Sequence, residues 1–285
     1  MRGIILGGGT FIGHWMKKKL AIEFGHSPVI IDYPRENIRI YLSANDMFYS
    51  LSEINFKALE DYRPDYIVFN FYDLFDLYSI NLSKSSDNIL MSVINKLLEI
   101  VRKINCRLLI LTHVNRYRSI NTFYESMFNS LNDTYLKYIE VVAKTMSIDI
   151  KIILLPNVFG PRESNQAIIS TIFSKILNHE DLQLIETKRD FLFVDSVINR
   201  CFNDFFITND KNIYYSYSSG RRTSLVEMYS LIIRILGKEN KKNKISILKD
   251  SIFLEKTDVN SDLIKNIVIN QDYGVIFDNY KNFFK

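Results

Sequence analysis

Apolar and polar positions fall in blocks along this chain. Fully apolar runs of strand length recur at residues 4–6, 29–31, 66–69 and 108–111, and a largely apolar one, interrupted by Lys151, at 150–155, each bounded by turn residues or charge. Such runs read as strands buried on both faces. Helical periodicity fills the intervals. Ile12, Trp15, Met16 and Leu20 share one side of a first helix. Over residues 88–102, Ile89, Leu90, Val93, Ile94, Leu97, Leu98 and Val101 repeat at helical spacing, and Leu131, Tyr135, Tyr138, Ile139, Val142 and Met146 form a second stripe. Strands alternating with helices predict a parallel sheet covered on both faces, with ligands gathering at the carboxyl ends of the strands. Asp32, Asn70, Thr112, His113 and Asn157 all fall at such ends and are expected to line one crevice.

Elsewhere the pattern is weaker. Residues 38–42 read as a strand and a helix is expected from Ser52. Beyond Pro156, a helix over 167–177, a strand over 189–194 and a helix over 224–236 describe a smaller lobe. Thr223 or Ser224 caps the start of that last helix, and Gly237 stops it.

The first candidate chemistry lies behind the first strand, at Gly7-Gly8-Gly9-Thr10-Phe11-Ile12-Gly13. A tight glycine turn opening a helix presents backbone N–H groups at the positive helix end, where a diphosphate can sit. The next strand stops at Asp32, about 20 residues on, where a carboxylate accepts hydrogen bonds from an adenosine ribose. A dinucleotide site follows, and Asp32 favours NAD over NADP because it repels a 2′-phosphate, although Arg35 lies close by. Conformational need alone also explains glycines in such a turn, and Asp32 also reads as an ordinary loop acid.

Composition narrows the class. The 285 residues suffice for one large α/β core, or one with an appended lobe. Lysine and arginine number 36 against 32 acids, a net charge of +4 that argues against a nucleic-acid partner. The clusters Lys17-Lys18-Lys19 and 238–244 read as a solvated helix face and a surface loop. Cys106 and Cys201 lack companions at metal-ligand spacing, so no metal site is expected. A reduced cytoplasmic setting fits, and neither a signal-peptide core nor a membrane-spanning run is evident.

With these residues in place the chain resembles the extended short-chain dehydrogenase/reductase family, the NAD-dependent epimerases and dehydratases of nucleotide sugars. The glycine turn is similar to Gly-Gly-x-Gly-Phe-Ile-Gly, and Pro64-Asp65-Tyr66-Ile67-Val68 to Pro-Asp-x-Val-Ile. Asn157-Val158-Phe159-Gly160-Pro161-Arg162 resembles Asn-Val-Tyr-Gly-Pro-Arg, and Arg189-Asp190-Phe191-Leu192-Phe193-Val194-Asp195-Ser196-Val197 resembles Arg-Asp-Phe-x-x-Val-Asp-Asp-Val. The late motifs are the specific ones, and their order and spacing match. The resemblance implies a Rossmann-like doubly wound domain over 1–156 and a smaller C-terminal α/β substrate lobe over 157–285, interleaved with it. It also implies NAD held by Gly7 to Gly13 and Asp32, with Asn70 and Asn132 on the cofactor side and Thr112 near the nicotinamide ribose. Asn157 would face the diphosphate of a nucleotide sugar, with Arg162, Arg189 and Arg222 as phosphate partners, although each arginine also reads as an ordinary ion pair. A homodimer through the two long helices is implied as well.

Three departures bear on the chemistry. Thr10 replaces the glycine that lets backbone approach the pyrophosphate, and Phe71 and Tyr72 replace a small alanine pair, crowding the nicotinamide side. The family's Tyr-x-x-x-Lys pair is missing: counting back from Asn157 places Phe128 and Asn132 at its two positions. Aligning Tyr117 with the tyrosine of the family's Val-Tyr-Gly turn puts His113 at its Ser/Thr position. His113, or a relocated tyrosine such as Tyr124, is then the candidate base, each weighed against plain strand-end hydrogen bonding or packing. The alternative is a catalytically silent relative that binds a nucleotide or a protein partner; an RNA-associated relative finds no support in the charge.

Overall fold

A computed structural model of the chain describes residues 1–33, 41–74, 84–114, 135–165, 167–185, 187–209, 213–237, 245–248 and 264–281. In chain order the strands are β1 (Gly3–Leu6), β2 (Val29–Asp32), β3 (Phe48–Ser50), β4 (Tyr66–Asn70), β5 (Arg107–His113), β6 (Ile150–Leu155) and β7 (Asn157–Phe159). There follow β8 (Leu182–Ile185), β9 (Lys188–Arg189), β10 (Phe191–Phe193), β11 (Tyr214–Ser218), β12 (Thr223–Ser224), β13 (Ile245–Leu248) and β14 (Ile264–Val268). The helices include α1 (Phe11–Phe24), α2 (Phe56–Tyr62), α3 (Lys84–Ile104), α4 (residues 135–145) and α5 (Ile168–Asn178). Those after them are α6 (Val194–Phe202), α7 (Leu225–Leu236) and α8 (Tyr273–Tyr280).

Eight strands form one sheet in the order β14-β11-β6-β5-β4-β1-β2-β3. From β11 to β3 every neighbouring pair is parallel. The stretch β3-β2-β1-β4-β5-β6 reverses direction between β1 and β4, the switch point at which doubly wound sheets open a crevice for ligands. The apolar runs explain why these strands pair here: Ile4, Ile5 and Leu6, Ile67 to Phe69 and Leu108 to Leu111 are completely buried, so both faces must be covered.

By packing, the chain divides into two compact units, one of residues 1–155, 198–216 and 261–265, the other of 156–197, 217–260 and 266–285. In the second unit β7 pairs with β10, β8 with β13 and β9 with β12. Its core joins Phe159, Phe173, Phe191, Met228, Tyr273 and Phe277 under α5, α7 and α8. Ser224 caps α7 through a reciprocal pair of bonds with Glu227, and Gly237 ends it in the left-handed conformation.

Several expectations are corrected. The strand beside β2 is β3, at the sheet edge and only half-buried, so it has no fully apolar run; residues 41 and 42 are not strand, and 38–40 lie outside the described residues. The helix expected from Ser52 starts at Phe56, because Asn55 accepts the Ala58 N–H and caps it. The strand expected over 189–194 is two strands separated by Asp190, and Val194 already opens α6. On α4 the buried stripe is Tyr135, Leu136, Ile139 and Ala143, while Tyr138 is exposed; Leu131 lies outside the described residues. Lys17 is not on a solvated face: it is buried, ion-paired with Asp46, and donates to the Tyr41 carbonyl at 2.7 Å.

Candidate functional site

At the switch point the chain leaves β1 through a turn that only glycine permits. Gly7 has φ of +81°, and a Cβ at Gly13 would stand 2.0 Å from the Gly7 carbonyl oxygen, so α1 starts in backbone contact with the turn. Asp32, the last residue of β2, is fully buried beside it. Its carboxylate accepts the Gly9 N–H at 3.0 Å and the Tyr33 N–H at 2.7 Å. Thr10, where glycine was expected, is the N-cap of α1, and its hydroxyl accepts the Gly13 N–H at 3.3 Å. Phe11 and Ile12 turn their side chains into the core and offer the turn only their backbone.

A residue that the sequence reading passed over completes the cluster. Asp73, just past β4, accepts the Ile12 N–H at 2.7 Å, the Thr10 hydroxyl at 2.7 Å and the Asn70 side-chain amide at 3.0 Å, all on one oxygen. The Thr10 hydroxyl has one hydrogen and two acceptors in reach, this carboxylate and the Gly7 carbonyl at 2.6 Å. Asn70 also donates to the Thr10 oxygen at 2.8 Å and to the Gly7 carbonyl at 3.3 Å, which leaves that carbonyl a donor when the hydroxyl turns to Asp73. An acid at the amino end of α1 is favoured by the helix dipole and by its orphan N–H groups. The available signal is the spacing Asn70-x-x-Asp73, too short and common to read in advance. Asn70 Oδ1 is buried without a hydrogen-bond partner among the described residues, although its amide nitrogen is fully engaged.

The adjacent strand β5 ends in Thr112 and His113. Thr112 is fully buried and its hydroxyl has no hydrogen-bond partner among the described residues. The His113 ring lies 5.4 Å from the ring of Tyr72, which is buried, as is Phe71. The bulk of Tyr72 therefore packs at this strand end, while the Phe71 ring lies 5.5 Å from that of Phe69. Tyr124, Asn132, Phe128 and Arg35 lie outside the described residues.

The second unit holds the remaining candidates. Asn157 directs its backbone N–H and its side-chain amide to one carbonyl, that of Asp190, at 3.2 and 3.1 Å, which locks β7 to the start of β10. The Asp190 carboxylate is buried and accepts the Ser219 N–H with both oxygens, at 2.9 and 3.2 Å. Arg189 stands opposite Thr223 in the β9–β12 ladder; it and Arg222 are half-buried. Arg162 is exposed and has φ of +70°. Next to it Glu163 is buried and accepts from the Gly160 N–H at 3.2 Å, the Ser170 N–H at 2.8 Å and the Ser170 hydroxyl at 2.7 Å. Burial pushes its carboxyl up to about 7 against the pull of those donors. Burial also pushes the Cys106 thiol up to about 12, which removes it as a nucleophile.

No protein-family model matches the sequence, and no curated protein matches it either. Solved structures do match in fold. A UDP-glucose 4-epimerase from Thermotoga maritima with UDP-glucose superposes with a TM-score of 0.73, at 18% identity over 100% of this chain and 98% of that one. A UDP-glucuronic acid 4-epimerase from Bacillus cereus, in complex with UDP-glucuronic acid and NAD, gives 0.73 at 16% identity, covering 99% and 98%. A dTDP-glucose 4,6-dehydratase from Bacillus anthracis, in complex with NAD, gives 0.72 at 16% identity, covering 100% and 96%. The described residues of this chain have their fold.

Proposed function

We propose that the chain is an NAD-dependent enzyme acting on a nucleoside diphosphate sugar, of the epimerase or dehydratase type, with a catalytic set that lacks Tyr-x-x-x-Lys. The observation that carries the reading is the glycine turn and buried Asp32 at the switch point of a fold shared with such enzymes. The residues suit the adenosine half of NAD: Asp32 can accept from ribose hydroxyls, and its charge disfavours the 2′-phosphate of NADP. They suit the diphosphate only when Asp73 is off the end of α1. The buried Thr112 hydroxyl and Asn70 carbonyl, without partners among the described residues, suit a polar group arriving from a ligand. Bound NAD would supply a hydride acceptor.

The chain's own residues have the remaining tasks. His113 is the proposed acid/base group, since imidazole exchanges protons near neutrality, with Tyr124 as the other candidate. Arg162, Arg189 and Arg222 are proposed to bind the diphosphate of the sugar nucleotide, and Asn157 to shape that segment. A homodimer through α3 and α4 belongs to the same reading; Ile89, Tyr138 and Val141 on those helices are exposed. Among the described residues no helix is long and apolar enough to cross a membrane, and we keep the cytoplasm as the proposed setting.

A second reading, a catalytically silent nucleotide- or partner-binding protein, is favoured by one arrangement: Tyr72 packs on His113 while Asp73 caps α1. Calorimetric titration with NAD, NADP and UDP-sugars, after mass spectrometry for co-purified cofactor, separates the two. The enzyme reading expects NAD to bind more tightly than NADP, and Asp32→Ala to weaken NAD by about 10- to 100-fold, the loss of a charged acceptor. No affinity for any nucleoside diphosphate sugar would sink both the activity and the substrate class. His113→Ala should abolish turnover and leave sugar-nucleotide binding intact; an unchanged rate removes His113 from the mechanism.

A further inference from the structure

We infer that Asp73 is a built-in competitor for the phosphate seat of this chain: its carboxylate caps the amino end of α1, and a diphosphate enters only when that carboxylate leaves. The inference deepens the NAD reading and rests on it for the dinucleotide, but not for phosphate as such.

The geometry supports an exchange rather than a permanent cap. Two of the N–H groups at the amino end of α1 are already taken. That of Ile12 goes to Asp73 and that of Gly13 to the Thr10 side chain, while the Gly9 N–H of the turn goes to Asp32. A phosphate oxygen arriving at Ile12 would meet a carboxylate on the same hydrogen, and two anions cannot share one donor without repulsion. If Asp73 swings away, the Ile12 N–H is released to a phosphate oxygen, while the Thr10 hydroxyl and the Asn70 amide each lose one acceptor and keep the Gly7 carbonyl in reach. Asp73 is half-buried, so its carboxylate has a route to water. The Thr10 substitution fits the same account. A glycine at this position has no hydroxyl to hold the acid; threonine supplies one and caps the helix with the same atom.

The test uses the full chain labelled with 15N, inorganic pyrophosphate as the first probe and NAD as the second. In wild type the Ile12 amide should respond weakly to pyrophosphate. In Asp73→Ala it should shift at an affinity at least about 10-fold higher, and calorimetry should show NAD tightened by a similar factor, the scale of one removed like-charge contact. Asp73→Asn keeps the side-chain shape and an acceptor but removes the charge. It should fall between the two, and it serves as the variant of record if the alanine form does not melt cooperatively. The inference is overturned if a folded Asp73 variant binds pyrophosphate at Ile12 no better than wild type. It is equally overturned if NAD binds less tightly to the variants, which would make Asp73 part of the bound site. Tighter pyrophosphate without any NAD binding leaves the competitor in place and removes the cofactor reading.

Discussion

Glu163 is buried against three donors, and its carboxyl is pushed up to about 7 from an ordinary 4.5 because burial outweighs the Ser170 and Gly160 hydrogen bonds. The folded chain therefore binds this proton more tightly than the unfolded chain does. Its protonation stabilises the fold fully below about 4.5 and the benefit is lost as pH rises through about 7, on the order of 1–3 kcal/mol in all. Thermal melts between pH 5 and pH 8 should show a steeper fall in Tm for wild type than for Glu163→Gln, which has no proton to lose. Parallel slopes would show that Glu163 does not titrate in this window. The neighbouring Arg162 offers a different test. It holds a left-handed backbone with an ordinary side chain, a conformation that costs roughly 1 kcal/mol relative to glycine. Arg162→Gly should stabilise the fold by about that much. If the guanidinium also binds a sugar-nucleotide diphosphate, the same variant should lose UDP-sugar affinity in calorimetry, and unchanged affinity would leave Arg162 without a ligand role.

Single elements show why some parts of the fold were legible and others were not. Strands β1, β2, β4, β5 and β6 were readable because a strand covered on both faces must be apolar throughout. Even so, β6 contains Lys151, buried in the middle of its run. Its explanation lies more than fifty residues away. After α6 the chain widens into a π-helical turn, Asn203–Ile207, closed by the Thr208 N–H on the Asn203 carbonyl at 2.8 Å. The Lys151 ammonium donates to the Asp204 and Thr208 carbonyls at 2.6 and 3.2 Å and contacts the Tyr215 hydroxyl at 3.2 Å, so the charge is capped by helix-end carbonyls. Lys151→Met preserves the apolar stem and strands those oxygens, and chemical denaturation should register a loss of roughly 1–3 kcal/mol. A variant as stable as wild type would mean that water replaces the ammonium at this helix end. The half-buried β3 and the Asn55 cap of α2 escaped for related reasons, since an edge strand lacks the apolar run and a single capping side chain moves a helix start by a turn.

At the scale of the molecule, the local part of the candidate site was readable and the long-range part was not. Glycine turn, α1 and Asp32 lie within one βαβ unit, so spacing alone assembled them; Asp73 reaches the same turn from about sixty residues on, and no periodicity marks it. In the division of the chain the interleaving was expected, but not which later segments join the first unit. A boundary after residue 156 follows from the change of pattern at Pro156, yet the unit containing β1 to β6 also takes in residues 198–216 and 261–265. Residues 198–216 bring β11, which pairs with β6, and the Asp204 and Thr208 carbonyls that receive Lys151. A fragment of residues 1–156 would leave β6 as an open apolar edge with a buried ammonium stripped of its acceptors, two faults that each cost several kcal/mol or invite aggregation. Expressed alone, that fragment should show no cooperative thermal transition by circular dichroism. Adding 198–216 as a separate peptide should restore helix and strand signal if those contacts are what it lacks. A sharp transition in the fragment by itself, near that of the whole chain, would place the stability of the sheet in β1 to β6 alone and make the later segments dispensable to it.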